Sequence, residues 1–170
     1  MEFILNNIKY RIHDNGSEVS VIPNDYKGDI VIPAYVQYDG DLWIPVTTIA
    51  YAAFRDCEEL TSVSLSEGLS TIENRAFERC TSLKEMIIPD TVLSIQSNAF
   101  SHCRSLEKIK LPSMLRHIDY DMFWGCESLQ EIDIPPLVKA IESHGFYKCT
   151  QLKRISLPDG LEEIGRYCFA

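Results

Sequence analysis

The spacing of the cysteines raises the question of chemistry first in this 170-residue chain. Five of the six recur every 23 residues: Cys57, Cys80, Cys103, Cys126 and Cys149. A zinc site is built from closely spaced pairs such as Cys-x-x-Cys, and the sequence contains none, so we expect neither a metal nor another cofactor. Neighbouring stacked repeats would lie about 4.8 Å apart, so disulfides are not excluded by distance. Because each of these cysteines follows a phenylalanine on an apolar face, we favour free, buried thiols.

Two further groups could carry nucleophilic chemistry. Cys168 lies outside the 23-residue series, and an exposed, reactive thiol is one interpretation of it. His102 directly precedes Cys103, which suggests a Cys–His dyad, but adjacent residues on a helix point in different directions, so a surface histidine is the favoured interpretation. The carboxylates are scattered, and no nucleophile elbow, zinc-protease or phosphate-binding motif occurs. We therefore predict no catalytic residues and no enzymatic activity.

The elements that must position these residues are set by an internal repeat. Phenylalanine recurs at the same 23-residue interval as cysteine, and leucine, isoleucine and proline form parallel series: Phe54, Phe77, Phe100, Phe123, Phe146 and Phe169; Leu60, Leu83, Leu106, Leu129 and Leu152; Ile49, Ile72, Ile95, Ile118, Ile141 and Ile164; Pro89, Pro112, Pro135 and Pro158. A fixed period of this length indicates a solenoid, in which each coil buries its apolar face against its neighbours.

Within one period the apolar spacing changes. Ala76, Phe77, Cys80 and Leu83 have the spacing of one helix face, which predicts a short helix. The alternation over residues 83–88 predicts a short strand, which Pro89 ends because it has no N–H for the next ladder bond. Val92 and Ile95 would then point inward again before the next helix.

These positions carry a family resemblance. The segment from Leu83 to Cys103, with Met86, Ile88, Pro89, Val92, Ile95, Ala99 and Phe100 at their fixed positions, resembles the BspA-like class of leucine-rich repeats, as do its sister copies over residues 45–170. Met122, Gly145 and Cys168 depart from the pattern by replacing the alanine before phenylalanine, and Ser66 replaces the first proline. The resemblance implies an α+β repeat fold, a right-handed leucine-rich-repeat solenoid with short strands on its concave side and short helices opposite. It also implies the cell surface or secretion, since the class is common among bacterial surface and secreted proteins.

The two ends of the chain lack the full pattern. Residues 1–44 show strand alternation around turn signals at 14–16 and 39–40, so we expect a β-rich N-terminal cap containing hairpins. Residues 45–170 would form the array, about five coils and a partial sixth. Either this array is a fragment of a longer one, or its uncapped C-terminal end self-associates with a second copy.

Surface recognition is the function that the pattern favours. The side chains between the inward strand positions should face the concave side, and with the loop residue Trp124 they give the candidate partner-binding set: Glu85, Ile87, Lys108, Lys110, Glu131, Asp133, Arg154 and Trp124. Such a strip of changing sign can bind a protein by complementary charge. Trp124 would be a hot spot if it is exposed, and the alternative is that it covers a neighbouring coil. We predict a non-catalytic protein-interaction module for a protein partner or a host or surface ligand. A purely structural spacer, with a solvated strand face, is the alternative.

Charge and hydropathy limit the partners and the location. The net charge of −9 repels phosphate backbones, so no nucleic acid is expected. No apolar run reaches the roughly 18–20 residues of a membrane span. Residues 1–7 lack the basic and apolar regions of a signal peptide. The sequence alone leaves the compartment open.

Overall fold

The computed structural model describes residues 1–40 and 42–170, and its regular elements there are all β-strands. In chain order they are β1 (Glu2–Leu5), β2 (Ile8–Ile12), β3 (Val19–Val21), β4 (Gly28–Ile32), β5 (Tyr35–Tyr38), β6 (Leu42–Ile49), β7 (Leu60–Leu65), β8 (Thr71–Ile72), β9 (Glu85–Ile87), β10 (Ser94–Ile95), β11 (Lys108–Lys110), β12 (His117–Ile118), β13 (Glu131–Asp133), β14 (Ala140–Ile141), β15 (Arg154–Ser156) and β16 (Glu163–Ile164).

Parallel pairing between equivalent strands of successive coils builds the solenoid. On one side β4 pairs with β7, β9 with β11, and β13 with β15. On a second side β3, β6, β8 and β10 pair in order, as do β12, β14 and β16. The register joins residues 23 apart, for example Met86 with Ile109 and Ile72 with Ile95. The sequence period therefore sets the strand register directly.

The predicted short helices are wrong, and with them the α+β assignment. The segment between the two strand sides is a run of consecutive turns in every coil. Two positions per coil have positive φ, four residues apart, as at Arg75 and Arg79 (φ 60 at both). A left-handed residue cannot continue an α-helix. The apolar spacing that suggested a helix is also produced by these successive turns, which bring the same side chains to the inside.

The turns form a third ladder of hydrogen bonds. Alternate amides bond within their coil and to the next coil: Ala76 N–H donates to Glu73 O (3.2 Å), whereas Phe77 N–H donates to Ala99 O (2.8 Å). An α-helix would direct every amide along its own axis, and none toward a neighbour. The turn conformation therefore links each coil to the next on the side that carries no strands.

The core is a continuous column that contains one ring per coil. Neighbouring phenylalanines from Phe54 to Phe169 stack nearly parallel, with ring centroids 4.9, 5.4, 5.7, 5.2 and 5.6 Å apart. The first five are at most 1% exposed, whereas Phe169 is 48% exposed. Centroid distances of 4.5–7 Å are those at which aromatic pairs attract beyond their area burial.

The N-terminal segment contains the predicted hairpins: β2 pairs antiparallel with β3, and β5 with β6. It also extends the solenoid, since β3 and β4 pair in parallel with β6 and β7. Tyr26 lies between β3 and β4 and packs on Phe54 at 4.5 Å. Its hydroxyl donates to Ile22 O (2.8 Å) and accepts from Lys9 N–H (3.1 Å). Residues 19–32 thus follow the path of a coil without the repeat spacing.

Candidate functional site

The strand strip consists of the outward side chains of β9, β11, β13 and β15 that the sequence singled out: Glu85, Ile87, Lys108, Lys110, Glu131, Asp133 and Arg154. All seven are exposed, and the residues between them, such as Met86 and Ile109, are buried or half-buried. This alternation follows from the pleat, which sends successive side chains to opposite faces of a strand. The structure therefore brings the seven residues onto one surface.

The register fixes which strip residues are neighbours. Lys108 lies beside Glu85, and Glu131 lies beside Arg154. The Arg154 guanidinium bonds the Glu131 carboxylate, Nη2 to Oε2, at 2.8 Å. Exposed pairs of this kind contribute only about 0–1 kcal/mol. Within residues 1–40 and 42–170, Lys108 and Lys110 have no ion pair, so their charges remain available.

A groove of about 510 Å³ runs across three strands of the strip. Its lining includes the strip residues of β9, β11 and β13, together with apolar groups such as Leu111, Pro135 and Pro136. Arg154 lies outside it, in an adjacent depression that also contains Lys108, Glu131 and Lys153. The groove thus combines charges of both signs with apolar side chains, among which Ile87 is 68% exposed.

Trp124 lies apart from the strip, in the turn ladder. It is half-buried, and its ring contacts His102 (5.1 Å between centroids, tilted) and Tyr147 (6.0 Å, edge-on) from the two neighbouring coils. Its buried Nε1 has no hydrogen-bond partner among the described residues. The Trp124 side chain therefore covers the two neighbouring coils and is only half-exposed.

The cysteines are free, as predicted, and the repeated five serve the packing of the column. Each thiol of the last four donates to the phenylalanine carbonyl of the preceding coil: Cys80 to Phe54 (3.1 Å), Cys103 to Phe77 (3.0 Å), Cys126 to Phe100 (3.2 Å) and Cys149 to Phe123 (3.2 Å). Cys57 donates to Asn24 O at 3.5 Å. A weak donor thus satisfies a second lone pair of a buried carbonyl.

Burial also suppresses thiolate chemistry. Burial raises the pKa of the Cys149 thiol to about 12 and raises that of Cys126 well above its usual range. The interpretation of Cys168 as an exposed thiol is wrong, because it is 3% exposed and burial raises its pKa too. The thiolate is the reactive form of cysteine, so these groups are poor nucleophiles at neutral pH.

Neither His102 nor His144 forms a nucleophilic site, and the hydroxyl that hydrogen-bonds His13, that of Ser20, is buried in β3. The Cys103 thiol points to Phe77 O and not to His102. The His102 ring packs on Trp124, and burial lowers the pKa of His102. His144 Nδ1 lies 3.3 Å from Asp121 Oδ1 and its ring stacks on Tyr167. Across the described parts of the chain, no group of three or more His, Cys, Asp or Glu side chains is arranged to hold a metal ion.

A second groove lies in the first 44 residues, which the sequence interpretation treated only as a cap. It includes two exposed aromatic residues, Tyr35 and Trp43, and several amides. The pairing of β5 with β6, which no motif in the sequence signals, places these two side chains on one face. No helix in the described residues has the length and apolar character to cross a membrane.

Comparison with known proteins places this fold. The family model of the BspA type leucine rich repeat region matches residues 47–170 of this chain as six copies. No protein of curated function matches the sequence. A leucine-rich-repeat protein of T. pallidum is 26% identical with a TM-score of 0.75, over 97% of this chain and 86% of that one. A leucine-rich cell surface protein of Faecalibacterium prausnitzii A2-165 is 25% identical with a TM-score of 0.74, over 100% of this chain and 52% of that one.

A leucine-rich-repeat protein of Eubacterium ventriosum ATCC 27560 shares the fold, with a TM-score of 0.78 at 18% identity, over 96% of this chain and 48% of that one. The chain thus spans about half the length of the Faecalibacterium and Eubacterium proteins. Because the family model covers most of the sequence, and the strand ladders repeat at the same interval, the chain belongs to the BspA-type leucine-rich-repeat family.

Proposed function

We propose that this chain is a non-catalytic protein-interaction module that binds a protein or surface ligand through the groove of the strand strip. The family indicates a protein-interaction or structural role, and its members are generally not enzymes. The observation that carries the finer proposal is the groove itself. It gathers six of the seven strip residues in one depression of about 510 Å³.

The charge arrangement supports a partner of mixed polarity. Lys108 and Lys110 lie in the middle strand of the groove, with Glu131 and Asp133 on the next strand and Glu85 on the preceding one. A partner segment with acidic groups opposite the lysines and a basic group opposite the carboxylates would meet complementary charge along the groove. Complementary charge of this kind governs orientation and the association rate.

The apolar part of the groove supports an anchor for that partner. Ile87 is 68% exposed beside Lys110, and Leu111, Pro135 and Pro136 also line the groove. Partner-binding energy is concentrated in such apolar positions surrounded by polar groups. A leucine or aromatic side chain of the partner would bury Ile87 on binding.

A selection from short random peptides tests the proposal even though the natural partner is unidentified. Peptides are selected on the wild-type protein, and their affinities are then measured by fluorescence anisotropy. The double substitution Lys108→Glu and Lys110→Glu should weaken the selected peptides about tenfold or more, a loss of about 1.4 kcal/mol. The control, Arg116→Glu with Lys148→Glu, makes the same charge change at sites outside the groove.

Two results would contradict the proposal. One is that the selected peptides bind the groove variant and the control variant equally well. The other is that the selected sequences show no preference for acidic positions beside an apolar one. Selected peptides that lose affinity on Ile87→Ser as well as on the lysine substitutions would locate the anchor at Ile87.

A structural spacer is the second candidate function, and one observation favours it. Arg154 and Glu131 already pair with each other on the strip, so part of its charge is satisfied within the solenoid. If the chain is only a spacer, the strip substitutions leave every interaction of the protein unchanged. Deleting one whole 23-residue coil would instead alter the reach of the array.

We also propose that the protein is exposed at the cell surface or secreted. The support is that the similar Faecalibacterium protein is described as a leucine-rich cell surface protein. Protease treatment of intact cells provides the test: a surface-exposed chain is degraded while a cytoplasmic marker stays intact. Protection of the chain in intact cells would refute this location.

A further inference from the structure

A groove of about 1060 Å³ lies beside the N-terminal strands, and none of its lining residues belongs to the strand strip. We name it the N-terminal groove; the residues used below are Asn6, Asn7, Asn24, Tyr35 and Trp43. Small-molecule sites usually measure roughly 300–1,000 Å³. The N-terminal groove slightly exceeds that range, so it has room for an extended ligand of several linked units.

Two aromatic side chains are exposed on the hairpin of β5 and β6. Tyr35 is 56% exposed and Trp43 is 61% exposed. Gln37 is opposite Trp43 and Tyr35 is opposite Pro45, so the two aromatic residues are diagonal neighbours on one face of the hairpin. Diagonal positions are about 7–8 Å apart. The hairpin therefore presents two separate ring surfaces side by side, and neither packs into the core.

Amide groups line the same groove as these rings. Asn6 and Asn7 form the two-residue turn between β1 and β2, with φ 50 and 63, the geometry of a type I′ turn. Asn24 lies in the connection between β3 and β4 and also lines the groove. Among residues 1–40 and 42–170, the side chains of these three asparagines make no hydrogen bond. Each amide can both donate and accept, so all three are available to a ligand rich in hydroxyl groups.

The cation in the groove, Lys27, is paired within the protein, whereas the Asp29 carboxylate is hydrogen-bonded but has no cationic partner among the described residues. The Lys27 ammonium bonds the Glu59 carboxylate at 2.9 Å and lies 3.6 Å from that of Asp25. Asp29 Oδ1 accepts from the Ser62 hydroxyl at 2.6 Å and from the Thr61 hydroxyl at 2.8 Å, bonds that lower the pKa of Asp29. An anionic ligand would therefore find no free cation among these groups and would face their carboxylates. A neutral ligand meets no such repulsion from these carboxylates.

We propose that the N-terminal groove binds a neutral oligosaccharide. A pyranose ring has one apolar C–H face, which suits the exposed rings of Tyr35 and Trp43, and a rim of hydroxyl groups, which suits the amides of Asn6, Asn7 and Asn24. Aromatic side chains with an apolar body and a polar tip are typical of wet recognition sites. A linear chain of sugars would place successive rings on the two aromatic surfaces.

Trp43 provides a direct signal for the test, because the chain contains only two tryptophans. In the Trp124→Phe protein, Trp43 is the sole tryptophan, so emission excited selectively at the indole reports on Trp43 alone. Soluble β-glucan, α-glucan and mannan oligosaccharides are titrated, with binding followed by Trp43 emission and by calorimetry. We expect at least one of these neutral sugars to shift the emission to shorter wavelength in a saturable manner, because the bound ring removes water from the indole.

Substitutions locate the binding. Trp43→Ala and Tyr35→Ala should each weaken the sugar about tenfold or more by calorimetry, since each removes one stacking surface. Asn6→Gly with Asn7→Gly keeps the positive-φ turn and removes two amides, and should weaken binding severalfold. The matched control is Tyr51→Ala, an aromatic residue 53% exposed outside the groove, which should bind as the unsubstituted protein does.

Folding of the variants is checked by thermal unfolding, where the exposed positions of Tyr35 and Trp43 predict unchanged midpoints. The proposal is overturned if no neutral oligosaccharide changes the emission or gives heat. It is also overturned if the groove variants bind as well as Tyr51→Ala, if only anionic glycans bind, or if an extended peptide rather than a sugar proves to occupy the groove. None of these outcomes bears on the strand strip, which is tested separately.

Discussion

Replacing Phe100 by leucine tests how much the phenylalanine column stabilises the stack of coils. Phe100 is fully buried, with Phe77 5.4 Å away on one side and Phe123 5.7 Å away on the other. Leucine keeps an apolar side chain in the column but removes the ring from two stacked pairs. Each pair contributes about 0.5–1.5 kcal/mol beyond its area burial. We therefore expect the free energy of unfolding to fall by about 1–3 kcal/mol.

The matched control is the same substitution at Phe169, which is 48% exposed and stacks on one ring, that of Phe146, at 5.6 Å. Its expected loss is below about 1 kcal/mol, since only one partly solvated pair is removed. Urea unfolding followed by far-ultraviolet circular dichroism gives both values, and an unchanged slope would show that the array still unfolds as one unit. Equal losses at the two sites, or no loss at Phe100, would refute the reasoning.

Three further predictions concern thiols, an alkaline transition and a close contact. Cys126 and Cys149 should resist iodoacetamide at neutral pH and react fully in urea. The reason is that burial raises the pKa of both thiols, that of Cys149 to about 12. Rapid labelling of the folded protein, measured by mass spectrometry, would contradict this. Burial raises the pKa of Tyr26 to about 12. The folded state then holds this proton more tightly than the unfolded state, so the free energy of unfolding should fall as the pH rises from about 10 to 12. The fall should be less steep in Tyr26→Phe. Equal pH dependence of the two unfolding free energies, measured by urea unfolding, would count against it. A Cβ at Gly125 would lie 2.7 Å from His102 Nδ1, so Gly125→Ala should cost about 1–3 kcal/mol. Adding His102→Ala should recover part of this loss in thermal unfolding, and additive losses would argue otherwise.

The coil register and most core positions were predictable from the sequence. Residues at equal positions of a stacked repeat lie on top of one another, so a column such as Phe54 to Phe146 must be buried together or exposed together. The outward positions of the strands followed by alternation, which is why Lys108 and Lys110 were assigned correctly to an exposed surface. Local spacing and the stacking rule were sufficient for these features.

The turns were not predictable in the same way. Ala76, Phe77 and Cys80 have helical spacing, yet the backbone turns at Arg75 and Arg79, where φ is positive. Arginine carries no preference for the left-handed region, although the equivalent positions of other coils hold residues that do, such as Asp56, Asn98 and Gly125. What stabilises the conformation is the set of amide bonds to the next coil, and these interactions between coils are absent from the local sequence.

The first coil and the N-terminal groove were missed for a related reason. Tyr26 precedes Phe54 by 28 residues rather than 23, so a search for the period passes over it. Its place in the column becomes evident only from the ring contact with Phe54. The groove, likewise, is formed where segments of unrelated sequence meet, and no periodic signal accompanies Trp43 or Asn7.

The uniform 23-residue register also has a genetic consequence. Because each coil presents the same ladder partners and the same ring to both neighbours, recombination between copies could delete the coil of Phe100 and leave Phe77 facing Phe123 across a junction like any other. Such events would change the order of charges along the strand strip in whole-coil steps. Array length and surface specificity can therefore diversify together, because each new junction keeps the same strand register and the same ring contact.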